Sequence, residues 1–181
     1  ALPLGVLLTH AAAGSEMSYS SVITNEDIQL KRGFNALSSI PKFSLLNPEW
    51  TYTLPPYQTA CGAADIIAHM MERYFTTVEH VELTDRMIAG GILTVLHNTP
   101  KALQTPDDYD ARAEILWAGA LAHNSLLDTG RTGDWCSHKL SHEVTVLTGL
   151  AHGAALSVLF PAWMKFVIKK NPKKIAQFAR D

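Results

Sequence analysis

Cysteine is scarce in this chain of 181 residues. Cys61 and Cys136 are the only two, and they form neither a disulfide framework nor a C-x-x-C pair. That excludes a disulfide-stapled fold and a thiolate metal cluster, and it fits a reducing, cytoplasmic setting. Excess charge of either sign is missing as well: 15 Lys and Arg stand against 17 Asp and Glu. No field is left to attract nucleic acid or an anionic membrane. The one basic cluster, Lys165, Lys169, Lys170, Lys173 and Lys174, reads as a solvated helix face. A long unbroken apolar run is also absent, because residues 144–168 are interrupted by His152 and Pro161, so no membrane span is expected. The opening ALPLGVLLTHAAAG has neither an initiating methionine nor a basic residue ahead of its apolar run. It therefore reads as a buried strand rather than a signal peptide. Finally, no G-x-G-x-x-G turn occurs, which leaves the chain without a dinucleotide fingerprint of its own.

What is present is a hydrophobic content of 47%, enough for one core. Residues 3–9, 20–25 and 43–46 have the length and composition of strands, with a loop-like segment from Gly33 to Pro41. From Pro55 the texture becomes helical. The spacing predicts helices over about 55–75, 79–97, 107–128, 134–148, 152–168 and 172–181. Thr99 and Pro100 are expected to end the second of these, Gly149 to stop the fourth, and Asn171-Pro172 to start the last. The composition shift near residue 52 predicts two domains, 1–52 and 53–181. The fold class expected is α+β, a small β-rich part followed by a mostly α-helical domain.

The chemistry concentrates in Trp135 to Phe160, WCSHKLSHEVTVLTGLAHGAALSVLF, where His138, His142 and His152 lie among apolar residues. Histidines in such company need a common partner, and a metal ion is an economical one. Asp65 and His69 are four apart on a predicted helix, so both side chains project from one face and can grip one ion. His138 and His142 repeat that spacing, and either could be the ligand on these grounds. A site of nitrogen and oxygen donors without thiolate suits Fe(II), Zn(II), Mn(II) or Ni(II). His80, His97 and His123 read as surface or satisfied core residues. Trp117, Trp135, Trp163 and the Met70-Met71 pair read as packing, and both cysteines as core thiols.

Three segments carry a resemblance to a known family: LLTHAAAGSEMS, PKFSLLNPEWTYTLPPYQTACGAADIIAHMMERY and DWCSHKLSHEVTVLTGLAHGAALSVLFPA. In order and spacing they resemble the iron-containing (group III) alcohol dehydrogenases, of the butanol dehydrogenase and broad aldehyde reductase type. The resemblance implies the end of an α/β dinucleotide-binding domain followed by an all-helical, dehydroquinate synthase-like metal-binding domain. It also implies one divalent metal, Fe2+ or Zn2+, held by Asp65, His69, His138 and His152. His142 then becomes a neighbouring active-site histidine that relays a proton or positions substrate. On the cofactor side, Thr9, Ser18 and Lys31 would contact NADP or NAD, with Trp50, Thr51 and Leu54 near the nicotinamide.

The function implied is NAD(P)-linked oxidation of a small alcohol or reduction of an aldehyde, by a homodimer in the full-length protein. His10 and Ala13 depart from the residues expected beside the cofactor. Without a glycine-rich turn the chain is expected to begin inside the nucleotide-binding domain and to stop before the last helices. Glycerol dehydrogenase or dehydroquinate synthase-like chemistry on the same architecture, and a non-catalytic helical metal-binding module, are the alternatives.

Overall fold

The computed structural model describes residues 2–181. Among them, strands come first and helices after: β1 (Gly5–Leu7), β2 (Ser20–Asn25), β3 (Leu30–Asn35) and β4 (Phe43–Leu45), then α1 (Pro56–Tyr74), α2 (Glu82–Gln104), α3 (Tyr109–His123), α4 (Cys136–Thr148), α5 (His152–Val167) and α6 (Pro172–Phe178). The mostly helical chain, with a small β-containing part, matches the expected fold class.

α1 is the axis of the helical part. Pro56 occupies its first turn, where a missing N–H costs nothing. One face sends Ile66, Met70 and Tyr74 into a core shared with Ile88, Ile92 and Val95 of α2 and Ile115 and Leu116 of α3. Burial of each large aliphatic side chain here is worth about 1.5–3 kcal/mol. The other face carries Asp65, His69 and Glu72, also buried, toward α4 and α5. α5 comes unusually close to α1 because residue 153 is glycine. A Cβ there would lie 1.9 Å from the Cys61 carbonyl oxygen, so the bare backbone lets His152 start its helix against α1. Gly149 ends α4 at φ +70, the left-handed geometry that glycine adopts without strain. Asn171 caps α6 by accepting from the Lys174 N–H.

Among the described residues the strands form two small sheets. β1 pairs in parallel with β4, Gly5 opposite Phe43 and Leu7 opposite Leu45. β2 and β3 make an antiparallel hairpin, Ser20 opposite Asn35 and Asn25 opposite Leu30. The Asn25 side chain accepts from the Asp27 and Ile28 amides and shapes the turn. β3 leans on α4, with Lys31 Nζ 3.4 Å from Thr145 Oγ1.

Four expectations need correction. β3 was unexpected because its sequence, LKRGFN, has no strand-like alternation; it exists as the partner of β2. β1 is three residues long and open on one side, with Leu7 59% exposed, because β4 is its only neighbour among the described residues. α2 runs through Pro100 to Gln104 instead of stopping there. Proline removes one backbone hydrogen bond, but it takes that bond from Leu96, which is exposed, while buried Val95 and Ala102 anchor the helix on both sides. α3 ends at His123, and a short 3₁₀ turn over Leu126–Asp128 follows Ser125, which sits at φ +74.

Candidate metal centre

Asp65, His69 and Glu72 recur at i, i+4 and i+7 on α1, one stripe of the helix. α4 brings His138 and α5 brings His152 to the same stripe. Three histidine nitrogens surround one carboxylate oxygen: His69 Nδ1 lies 3.8 Å, His138 Nε2 3.7 Å and His152 Nε2 3.6 Å from Asp65 Oδ1. These separations are too long for hydrogen bonds. Asp65 Oδ1, His69 Nδ1 and His138 Nε2 are buried and have no hydrogen-bond partner among the described residues. Buried polar atoms are normally paired, and leaving three orphaned in one spot is costly. A divalent cation resolves the cost, because ligand bonds near 2.1 Å place tetrahedral ligand atoms about 3.4 Å apart. The donor set fits a metal ion in both chemistry and spacing. Asp65, His69 and His138 lie deepest, and His152, 25% exposed at its side chain, closes the group from the more open side.

The electrostatics agree with that reading. Burial pushes the Asp65 carboxyl up, but His69, His138 and His152 around it outweigh burial, so it stays ionised well below the usual carboxylate range. Burial drives His69 well below the ordinary histidine value and His152 down to about 4, despite the pull of Asp65. Both are therefore neutral, as metal ligands must be. His138 differs: burial lowers its pKa, but the two carboxylates beside it, Asp65 and Glu72, raise it above the ordinary value.

Glu72 is the functional-looking residue that sequence reasoning missed. It is 2% exposed and accepts from His138 Nδ1 at 2.9 Å, from the His138 amide at 3.0 Å and from the Trp135 amide. One carboxylate thus orients the His138 ring and occupies the N-terminus of α4, which has no capping side chain of its own. With Nδ1 donating to Glu72, the Nε2 lone pair of His138 is turned to the cluster. The signal was available, since Glu72 continues the Asp65-His69 stripe at i+7.

His123, expected as a surface or satisfied core histidine, and Trp135, expected as packing, border the centre instead. His123 stacks on His69 with ring centroids 4.3 Å apart and planes 16° from parallel. The Trp135 ring lies 5.2 Å from that of His138 and covers the Arg73 guanidinium at 4.7 Å. Arg73 donates to the His69 carbonyl at 3.0 Å and to His123 Nδ1 at 3.0 Å, and pairs with Asp128 at 2.8 Å. A cleft of about 1220 Å³ opens over the centre, with Lys31, His69, His123, His142 and His152 in its walls. Among the described residues His142 is not paired with Asp65; its ring sits 5.7 Å from that of His152 and lines the cleft. Burial and then the Lys31 charge lower its pKa, which keeps it neutral.

Comparison with known proteins adds the identity of the architecture. The family model for the Fe-containing alcohol dehydrogenase family, C-terminal, matches residues 59–181. The chain belongs to the Fe-containing alcohol dehydrogenase family. It is 38% identical over 179 residues to the probable NADH-dependent butanol dehydrogenase 1 of Bacillus subtilis, covering 99% of this chain and 46% of that protein. Against the NADPH-dependent aldehyde reductase YqhD of Escherichia coli the identity is 37%, over 99% of this chain and 46% of that one. A crystal structure of NADH-dependent butanol dehydrogenase A from Thermotoga maritima superposes with a TM-score of 0.93 at 40% identity, over 96% of this chain and 44% of that chain. The chain therefore spans less than half the length of these relatives.

Within this family member, the residues expected on the cofactor side are scattered. Lys31 lines the cleft, within reach of the Asp65 field. The Ser18 and Thr51 side chains are buried and bonded locally, Ser18 Oγ to the Ser20 amide and Thr51 Oγ1 to the Pro48 carbonyl. Thr9 is exposed, Trp50 is 38% exposed and Leu54 is partly buried; none of the three forms the cleft wall. His10 does line it, and its Nε2 lies 3.0 Å from the Gln58 carbonyl. Among the described residues no helix is long and apolar enough to cross a membrane.

Proposed function

We propose that the protein containing this chain is a metal-dependent, NAD(P)-linked alcohol dehydrogenase or aldehyde reductase acting on small alcohols or aldehydes. The observation that carries this reading is the convergence of three imidazole nitrogens on Asp65 Oδ1 with three buried donor atoms left unpaired. Asp65, His69, His138 and His152 would hold one Fe2+ or Zn2+. When bound, the ion supplies Lewis acidity toward the oxygen of an aldehyde or alcohol. A nicotinamide, NAD or NADP, supplies or takes the hydride. Residues 1–52 would be the remaining part of the nucleotide-binding domain and 53–181 the helical catalytic domain.

The chain's own residues do the rest. Asp65, ionised and buried, sets a negative field that favours a cation, and Glu72 keeps His138 in the tautomer that can ligate. His142, neutral and open to the cleft, is placed to pass a proton between bound substrate and solvent. Lys31 contributes positive charge to the same cleft, where an anionic or polarised group of cofactor or substrate would be held. Thr9, Ser18, Trp50, Thr51 and Leu54 are kept as cofactor contacts on the family resemblance alone. A homodimer working in the cytoplasm accords with this reading.

The test uses the full-length protein purified without chelator. Metal analysis should find about one ion per chain, and His152→Ala should lose most of it. Full occupancy in that variant would overturn the ligand set. His142→Ala should retain the metal while aldehyde reduction with NADH or NADPH falls by about 10²-fold or more; loss of the metal instead would make His142 a ligand.

A further inference from the structure

Arg73 is a buried cation beside a site whose donors suit a cation. Its side chain is 2% exposed, and it follows His69 on α1 by one turn. A positive charge in that place repels a metal ion, so its presence needs a reason other than attraction. The contacts supply one. NH1 donates to the His69 carbonyl at 3.0 Å, and NH2 donates to Asp128 Oδ2 at 3.1 Å. NH2 also lies 3.0 Å from His123 Nδ1, which must accept because a guanidinium has only donors to offer. The guanidinium carbon sits 4.7 Å from the centre of the Trp135 ring. Each of His123, His69 and Trp135 braces the centre. His123 stacks on His69 at 4.3 Å, His69 stacks on His138 at 4.6 Å with planes 28° apart, and Trp135 meets His138 edge-on at 5.2 Å.

One guanidinium therefore touches the outer ring of a three-imidazole stack, the backbone of its middle member and the indole packed against its far end. We propose that Arg73 is a positioning residue of the metal centre: its planar fork holds His69 and His138 in the orientation that presents His69 Nδ1 and His138 Nε2 to the ion, and this alignment outweighs the repulsion between its own charge and the metal. The proposal rests on the metal-dependent reading above and assigns the rigidity of two ligands to one residue. Lysine cannot take the same part. Its ammonium is a compact point charge without a fork to reach three acceptors at once or a plane to lay on the Trp135 ring.

The experiment measures Zn2+ affinity by competition with a chelator, and the d–d absorption of bound Co2+, in the full-length wild type, Arg73→Met and Arg73→Lys. Methionine keeps the apolar stem without charge or donors, and lysine keeps the charge without the fork. Both variants should bind Zn2+ about 10- to 100-fold more weakly, and both should shift or broaden the Co2+ band. Tighter binding in Arg73→Met with wild-type affinity in Arg73→Lys would show that Arg73 acts only as a charge, and would overturn the proposal. So would an equal loss of thermal stability in the apo and loaded forms with affinity and Co2+ spectrum unmoved, the mark of a merely structural residue. Should Arg73→Met fail to fold, Arg73→Lys decides by the same two readouts. A wild type that takes up neither ion would refute the metal reading itself. The bracing of the stack is then decided in the metal-free protein by imidazole 15N NMR: wild type should hold His123 as the single Nε2–H tautomer and Arg73→Lys should not, and a tautomer unmoved by that substitution would overturn the bracing as well.

Discussion

Replacing Glu72 with leucine takes one carboxylate away from three donors at once: His138 Nδ1, the His138 amide and the Trp135 amide. The side chain is 2% exposed, so water cannot step in. A buried donor left without its acceptor costs about 1–3 kcal/mol, and three of them put the loss of stability at roughly 3 kcal/mol or more. A second loss should appear in metal binding. Without Glu72 the His138 ring can rotate and change tautomer, and removal of such a supporting carboxylate typically weakens metal affinity 10- to 100-fold, about 1.4–2.7 kcal/mol. Glu72→Gln should fall between, since its carbonyl oxygen can still serve His138 while its NH2 meets a backbone donor. The assay is a competition titration with a chelator of known affinity, beside thermal unfolding of the apo and metal-loaded protein. If Glu72 only caps α4, apo and loaded forms will lose the same stability and affinity will not move. That result would refute the coupling of Glu72 to the metal centre through His138.

Two further expectations follow from packing and burial. Gly153→Ala places a methyl 1.9 Å from the Cys61 carbonyl, so α5 must retreat from α1. The melting temperature should drop by the equivalent of about 1–3 kcal/mol, and metal retention should fall as His152 moves away. A variant that keeps both would show that α5 does not depend on this close approach. Glu16 is 3% exposed, its Oε2 has no hydrogen-bond partner among the described residues, and burial raises its pKa against the pull of its own backbone amide. A carboxyl whose folded pKa is raised binds more protons in the folded state, so stability falls as pH rises from the unfolded carboxylate range through the folded value. Glu16→Gln should therefore stabilise the protein at pH 7–8, on the order of 1 kcal/mol, with the advantage shrinking near pH 4. Thermal melts across that range check the sign.

Much of the local structure could be read from the sequence because it depends on neighbours along the chain. The Pro56 start of α1, the Asn171-Pro172 start of α6 and the Gly149 stop of α4 are single-turn effects, and they appear where expected. The Asp65-His69 and His138-His142 spacings follow from 3.6 residues per turn. Local rules failed where packing overruled them. Pro100 stays helical because Val95 and Ala102 are buried on either side, and LKRGFN becomes a strand only because β2 offers it a partner.

The site divides in the same way. Residue types and spacing singled out the histidines and Asp65, and the family resemblance favoured His138 over His142. Only the tertiary structure decided which side chains face one another. It turns His138 toward Asp65 and His142 toward the cleft, joins Glu72 of α1 to His138 of α4, and lays His123 on His69 with Arg73 fixing its tautomer. These contacts join helices distant in sequence, and a helical repeat says which face a residue occupies but not which helix will cover that face. That depends on side-chain volumes at a few crossings, such as the missing Cβ of Gly153 against the backbone of Cys61.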